Sequence, residues 1–340
     1  MSMDGGKFLA SGTYGMVFKP PLPCKQKLPM DLSKLNQIGK VFKNDEEFIS
    51  EQKMMELISE KFADFALPIR YVCRIDTPNP RIVKDIPSNL KDRLREGQNQ
   101  IVYPNGGKEL YEYVVSKNNG TRSAKILCAV RVFKYFKNII YGLETMVKSN
   151  MLHNDIKPQN ILYNEKNKQL YLIDWGLATT LNNTYDKIDA VKAHIYPYYV
   201  PEYRMSYFFY THKRLPEIKE VVEIIKTNFR YLTDDLTKVY SVLGINPTGE
   251  ILDFLEHLQT VHKLHTQQTR FFGKYAATND AYAIGITMLQ VLMELDVLKE
   301  KDVRLQFIKM FIKDLIHIDP RRRPSVGEVI TNYNLTCEYL

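Results

Sequence analysis

The stretch from His153 to Gly176 constrains this chain most. It opens with His153-Asn154-Asp155-Ile156-Lys157-Pro158-Gln159-Asn160 and closes with Leu172-Ile173-Asp174-Trp175-Gly176. Between them, Asn160 to Asp174 alternates as a β-hairpin does, with turn residues at Asn164–Lys168. Its ends carry one carboxylate beside a lysine, an amide five positions on, and a second carboxylate in a Trp-Gly turn.

Strand patterns come first along the chain and helical patterns afterwards. Residues 7–19 alternate as a hairpin, with Gly12 and Gly15 at its turn. Residues 20–36 hold four prolines and read as a loop. Gln37–Phe42 reads as a short strand, and Asn44 with Glu47 as the start of a helix. Residues 68–75 and Gln100–Tyr103 read as strands separated by a polar loop, and Pro104-Asn105-Gly106-Gly107 is a strong break. From Ala124 to Ser149, Leu127, Val130, Phe133, Ile140, Leu143 and Met146 recur at helical spacing. After Glu202 the pattern stays mostly helical. This order predicts an α+β fold with a small β-rich lobe and a larger helical lobe, divided near residues 103–108.

At 340 residues and 44% hydrophobic content, the chain is long and apolar enough for one large two-lobed domain or two small domains. A charge of +8 from scattered lysines reads as a solvated surface and does not call for a nucleic-acid partner. The first residues lack an apolar signal core, and Ala281–Leu295 is too short to span a bilayer, so no membrane role is expected. Cys24, Cys73, Cys128 and Cys337 show neither paired nor metal-type spacing. No disulfide is expected from them, and a reducing compartment such as the cytoplasm fits best.

The central stretch resembles the catalytic and magnesium-binding loops of eukaryotic-type protein kinases. The resemblance implies phosphoryl transfer from ATP with Mg2+ to a protein substrate. Asp155 would accept the proton of the attacking hydroxyl, Lys157 would neutralise the phosphoryl group, and Asn160 and Asp174 would hold the metal. Leu9-Ala10-Ser11-Gly12-Thr13-Tyr14-Gly15-Met16-Val17 resembles the glycine-rich loop, with Ala10 at its first glycine position. Gly12 and Gly15 would then approach the phosphates, while Leu9, Val17 and Leu162 would enclose adenine. The family's strand lysine, paired to a helix glutamate, would be Lys40 or Lys43 with Glu51. Lys40 is favoured because it lies within the strand. Residues 104–107 resemble the hinge, with Ile101 behind the nucleotide and Pro104 where a backbone N–H usually donates.

Three later segments resemble the family in the same order. Val200-Pro201-Glu202 matches the end of the activation segment, with Arg323 of Asp319-Pro320-Arg321-Arg322-Arg323-Pro324 as the expected partner of Glu202. Asn279-Asp280-Ala281-Tyr282-Ala283-Ile284-Gly285 matches the helix whose Asp braces the catalytic loop, and His153 would hold that loop by hydrogen bonds. The resemblance thus implies one kinase domain over 1–340, with lobes 1–103 and 104–340.

The departures are specific. Asn154 replaces an arginine that often reads a phosphate on the activation loop, so residues 177–199 are expected to need no phosphorylation. Ile195 replaces a threonine frequent in Ser/Thr enzymes, and Tyr196, Tyr198 and Tyr199 crowd the same segment. Residues 203–278 form a long helical insertion, either packed on the large lobe or docking a partner. The short small lobe and tyrosine-rich composition look like divergent kinases of large DNA viruses, which would place the chain in host cytoplasm or virion. A small-molecule kinase of the choline or aminoglycoside type and a catalytically weak pseudokinase scaffold are the rival readings.

Overall fold

The computed structural model describes residues 6–12, 15–26, 36–59, 61–78, 85–181, 196–212, 214–229, 236–262 and 275–340. The chain forms two compact units, Met1–Gly107 and Lys108–Leu340.

The first unit is built on a five-stranded antiparallel sheet. Its strands are β1 (Lys7–Ser11), β2 (Gly15–Lys19), β3 (Gln37–Phe42), β4 (Tyr71–Arg74) and β5 (Asn99–Pro104), in the order β1-β2-β3-β5-β4. β4 is shorter than the expected 68–75. Helix α1 (Asp45–Ser59) starts where the sequence predicts, with the Glu47 N–H donating to Asn44 Oδ1 at 2.9 Å. Asp45, Glu46 and Glu47 in its first turn suit the positive end of the helix dipole. Met16, Phe18, Leu22, Val41 and Ile75 form the core beneath the sheet. Ile86 and Leu94 complete it, so the polar stretch read only as a loop contributes core residues on either side of the short 3-10 turn Ser88–Arg93.

A buried glutamine ties the proline-rich segment to the sheet. Gln100 Oε1 accepts from Leu22 N at 2.9 Å and its Nε2 donates to Leu22 O at 3.0 Å. Gly39 permits this contact, because a Cβ there would come within 2.2 Å of Gln100 Oε1. Beside it, Cys24 and Cys73 are joined in a disulfide with a Cα–Cα distance of 5.8 Å. This corrects the expectation of no disulfide and removes the basis for reading a reducing compartment. Forty-nine positions separate the two cysteines, and the pairing of Cys24 with Ile75 beside β4, with Lys25 N donating to Arg74 O at 2.9 Å, brings them together. Closing a loop of that length stabilises the fold by about 4 kcal/mol in the chain-entropy account. Cys73→Ser is therefore expected to lower the unfolding free energy of this unit by about 4 kcal/mol, and thiol titration of the denatured wild type should count two free thiols. Four free thiols, or unchanged urea unfolding, would exclude the link.

The second unit is mostly helical. β6 (Lys108–Glu109), β8 (Ile161–Asn164) and β9 (Gln169–Leu172) form one antiparallel sheet, and β7 (Met151–Leu152) pairs with β10 (Thr179–Thr180). A short helix α2 (Leu110–Val115) follows β6. The predicted helical run 124–149 is two helices, α3 (Arg122–Tyr135) and α4 (Lys137–Lys148). Phe136 lies between them, fully buried, and its N–H bonds the Phe133 carbonyl at 3.1 Å. The tightened turn changes the phase of the apolar stripe. Ile126, Val130 and Phe133 and then Ile139, Ile140 and Leu143 are buried, whereas Leu127 is exposed.

The remaining helices are α5 (Pro201–His212), α6 (Ile218–Phe229), α7 (Leu236–Val242), α8 (Pro247–His262), α9 (Asn279–Glu294), α10 (Val303–Leu315) and α11 (Val326–Glu338). The described insertion residues are tied to this unit. Glu250 on α8 is buried, with Oε1 on His317 Nδ1 at 2.7 Å and Oε2 accepting from Ile318 N at 2.9 Å. Lys313 donates to Gly244 O at 3.1 Å, and Arg322 pairs with Asp253. Among the described residues, no helix is long and apolar enough to cross a membrane.

Candidate active site

In the first unit the hairpin pairs Ala10 with Val17 and Ser11 with Met16, with an irregularity in register between Phe8 and Ala10. Leu9 is exposed at that irregularity and Val17 is half-buried. Gly15 is required by packing, since a Cβ would come within 2.3 Å of Val41 O. A Cβ on Gly12 would meet no described atom within 4 Å, so its neighbours in the fold do not demand glycine there. Thr13 and Tyr14 lie outside the described residues.

Lys40 on β3 donates to Glu51 Oε2, whereas Lys43, past the strand end, is exposed. Lys40 lies within the strand, whose pleat directs it onto Glu51 of α1. Glu51 Oε1 accepts from the Tyr103 hydroxyl at 2.9 Å, so both carboxylate oxygens are used. The sequence reading missed Tyr103, whose alternation in β5 marks only a core residue. Ile101 is fully buried in β5. Pro104 ends that strand opposite Gln37, and the next N–H, that of Asn105, bonds Asn36 O at 3.0 Å.

In the second unit the hairpin accounts for the assembly of the central stretch. Pairing of Ile161 with Leu172 lets Ile173 N donate to Asn160 O at 3.0 Å, which sets Asn160 beside the residue preceding Asp174. Pro158 begins the 3-10 turn Pro158–Asn160, where its missing N–H costs nothing. Leu162 is buried in β8 opposite Glu109 of β6. Asp174 takes a left-handed backbone, φ 62° and ψ 70°, a conformation that costs an L-residue about 1–2 kcal/mol. Trp175 is buried after it, its ring 4.4 Å from that of His153.

Asp155 is buried at the centre of a donor network. Lys157 Nζ lies 3.1 Å from its Oδ1 and 3.0 Å from its Oδ2. Asn160 Nδ2 donates to Oδ2 at 2.6 Å and to the Asp155 carbonyl at 3.0 Å. Tyr196 donates to Oδ1 at 2.5 Å. The sequence marked Tyr196 only as a departure, and its contact spans the segment 182–195 that lies outside the described residues.

The loop itself is held from below. Asp280 Oδ2 accepts from His153 N at 2.7 Å and Oδ1 from Asn154 N at 3.0 Å. Burial pushes the Asp280 carboxyl up, opposed by His153 and by those two N–H bonds. Burial pushes the His153 imidazole down, so the ring stays neutral. Its Nδ1 accepts from Asp155 N at 3.2 Å and its Nε2 faces Ile173 O at 3.1 Å, which fixes the tautomer with the proton on Nε2. Asn154, with φ 59°, accepts from the Tyr203 hydroxyl at 3.0 Å. Glu202 at the start of α5 makes two bonds to the Arg323 guanidinium, at 2.8 and 2.7 Å, with both side chains buried.

Residues 103–212 match the protein kinase domain family. The probable serine/threonine-protein kinase HSL1 of Saccharomyces cerevisiae is 36% identical over 78 residues, 23% of this chain and 5% of that protein. A probable casein kinase II subunit alpha homolog of Encephalitozoon cuniculi is 33% identical over 69 residues, 20% of this chain and 21% of its own length. The non-specific serine/threonine protein kinase Cdc7 of Drosophila melanogaster is 37% identical over 49 residues, 14% of this chain and 7% of that protein. The match thus spans about a fifth or less of each of these relatives. The matched region, which holds the motif-bearing loop, is thus similar to eukaryotic-type protein kinases, and the sheet-rich first unit and helical second unit agree with that likeness.

Proposed function

We propose that this chain transfers the γ-phosphoryl group of ATP to serine or threonine hydroxyls of protein substrates. The observation that carries this reading is the donor network around Asp155. A buried carboxylate, contacted by a lysine and an amide of the same loop, can take a proton from a hydroxyl while the neighbouring cation meets the negative phosphoryl oxygens. In the first unit, Glu51 holds the Lys40 ammonium in one orientation, suited to phosphate oxygens.

The donor set fits a hard divalent cation, and we take it to be Mg2+. Asn160 Nδ2 is committed to two Asp155 oxygens, so its Oδ1 is the amide atom left to offer a ligand. Asp174 adds a carboxylate, and oxygen donors of this kind are what Mg2+ prefers. Bound there, the ion would offset charge on the phosphates. Asp174→Ala is expected to abolish the extra thermal stabilisation that Mg2+ adds to ATP binding, read in a melting titration with ATP alone and with Mg-ATP. An undiminished magnesium effect would place the metal elsewhere.

The rival readings meet the same assay. The full chain is given labelled ATP, Mg2+, a generic mixed protein acceptor and small amino alcohols. Label on phosphoserine or phosphothreonine supports the proposal. Label only on the small alcohols would favour the small-molecule kinase, and no label would leave a binding scaffold. The Ser/Thr kinase names of the relatives and the Glu202–Arg323 pair, expected from protein kinases, favour the first outcome.

A further inference from the structure

Asp155 carries more hydrogen bonds than a base awaiting its acceptor needs. Its Oδ2 takes Asn160 Nδ2 at 2.6 Å and Lys157 Nζ at 3.0 Å, and its Oδ1 takes Lys157 Nζ at 3.1 Å and the Tyr196 hydroxyl at 2.5 Å. A carboxylate offers about four lone-pair sites, so these contacts fill it. Any hydroxyl that is to surrender its proton to Asp155 must first displace a donor. Asn160 is anchored by its second bond, to the Asp155 carbonyl at 3.0 Å. Lys157 is held by charge. Tyr196 alone makes the contact an incoming acceptor would make, a neutral O–H on a carboxylate oxygen. Burial, and then the Asp155 charge, push its phenol well above the ordinary range, so it remains a donor.

The hydroxyl is aimed at Asp155 by a cluster of tilted aromatic rings. The Tyr196 ring lies 5.2 Å from that of Tyr198 and 4.9 Å from that of Tyr199, with Lys157 Nζ 5.2 Å from its centroid. The Tyr198 hydroxyl is fixed on Gln290, and the Tyr199 ring sits 5.5 Å from that of Tyr203. Tyr203 in turn donates to Asn154 within the catalytic loop.

We propose, on the basis of the kinase reading above, that Tyr196 is a specificity-determining residue that keeps water off Asp155 until a protein acceptor displaces its hydroxyl. Hydrolysis at this base would form a bond between a water oxygen and the γ-phosphorus. It would break the bond from that phosphorus to the departing ADP oxygen and pass the water proton to Asp155. A water molecule in the place of the Tyr196 hydroxyl gives that Asp155 oxygen one hydrogen bond, which replaces the one it breaks, and it has no further body to hold the ring aside. A protein acceptor contacts more of the enzyme, and that binding energy can hold Tyr196 displaced. The tyrosine therefore selects hydroxyls on a bound polypeptide over bulk water.

The test is Tyr196→Phe in the full chain, with acceptor-independent release of inorganic phosphate from Mg-ATP compared with transfer to the protein acceptor. The ratio of hydrolysis to transfer is expected to rise about tenfold, the worth of one hydrogen bond to a charged group. Tyr198→Phe loses a buried hydrogen bond in the same ring cluster but leaves Asp155 covered, so its ratio should stay at the wild-type value. An unchanged or falling ratio in Tyr196→Phe overturns the proposal, and so does an equal rise in Tyr198→Phe, which would mean general loosening. A Tyr196→Phe chain that melts below assay temperature also overturns it, because the hydroxyl would then be holding the fold. If the unaltered chain transfers phosphate to no protein at all, the kinase reading itself fails and takes this proposal with it.

Discussion

Asp155→Asn is expected to reduce phosphate transfer by about 10²- to 10⁴-fold, the usual worth of a positioned general base. The substitution keeps the shape of the side chain and removes its capacity to take a proton. The network can tolerate it. The amide oxygen can still accept from Lys157 and Asn160, and the amide NH2 can face Tyr196, whose hydroxyl can accept as well as donate. ATP binding should therefore survive, because the substitution leaves every side chain proposed to hold nucleotide or metal in place. Single-turnover transfer and ATP affinity, measured separately, check both halves. Transfer within tenfold of wild type would show that Asp155 is not the base.

Glu202→Ala is expected to lower stability by about 3–5 kcal/mol. Glu202 and Arg323 are both buried, and the pair is bidentate. Removing the acid leaves a guanidinium in the interior without its carboxylate. Arg323 would keep the His317 carbonyl at 2.8 Å, the Ile318 carbonyl at 3.3 Å and the Tyr282 ring at 4.8 Å. These are dipoles and a quadrupole, and they do not replace a full opposite charge. Glu202→Gln retains one acceptor and should cost less. Urea unfolding of the three proteins gives the comparison. A loss below about 1 kcal/mol for Glu202→Ala would mean that the pair is wet and weak, like a surface ion pair.

These two effects differ in how far the sequence foretold them. Asp155, Lys157, Asn160 and Asp174 lie in one short stretch, and hairpin register alone brings its two ends together. Local pairing rules are legible in a sequence, so that part of the site could be drawn before any fold was known. Lys40 with Glu51 was also within reach, because strand alternation and helix spacing each direct a side chain to one face. The Glu202–Arg323 pair spans 121 positions and was expected only through the family resemblance. No periodicity announces such a contact.

Local pattern by itself determined the β-rich first part, the helical second part, the Asn44 cap and the hairpin that sets Asn160 beside Ile173. Hydrogen-bond geometry and side-chain periodicity act over a few residues, so they are written directly in the order of amino acids. Only the tertiary structure decided the Cys24–Cys73 disulfide, the break at Phe136, the Gln100 tie to Leu22, and the Tyr196 hydroxyl on Asp155. Each depends on where two distant segments meet. That meeting is set by how whole faces bury apolar surface together, a property of the packed unit that no short stretch of the sequence carries.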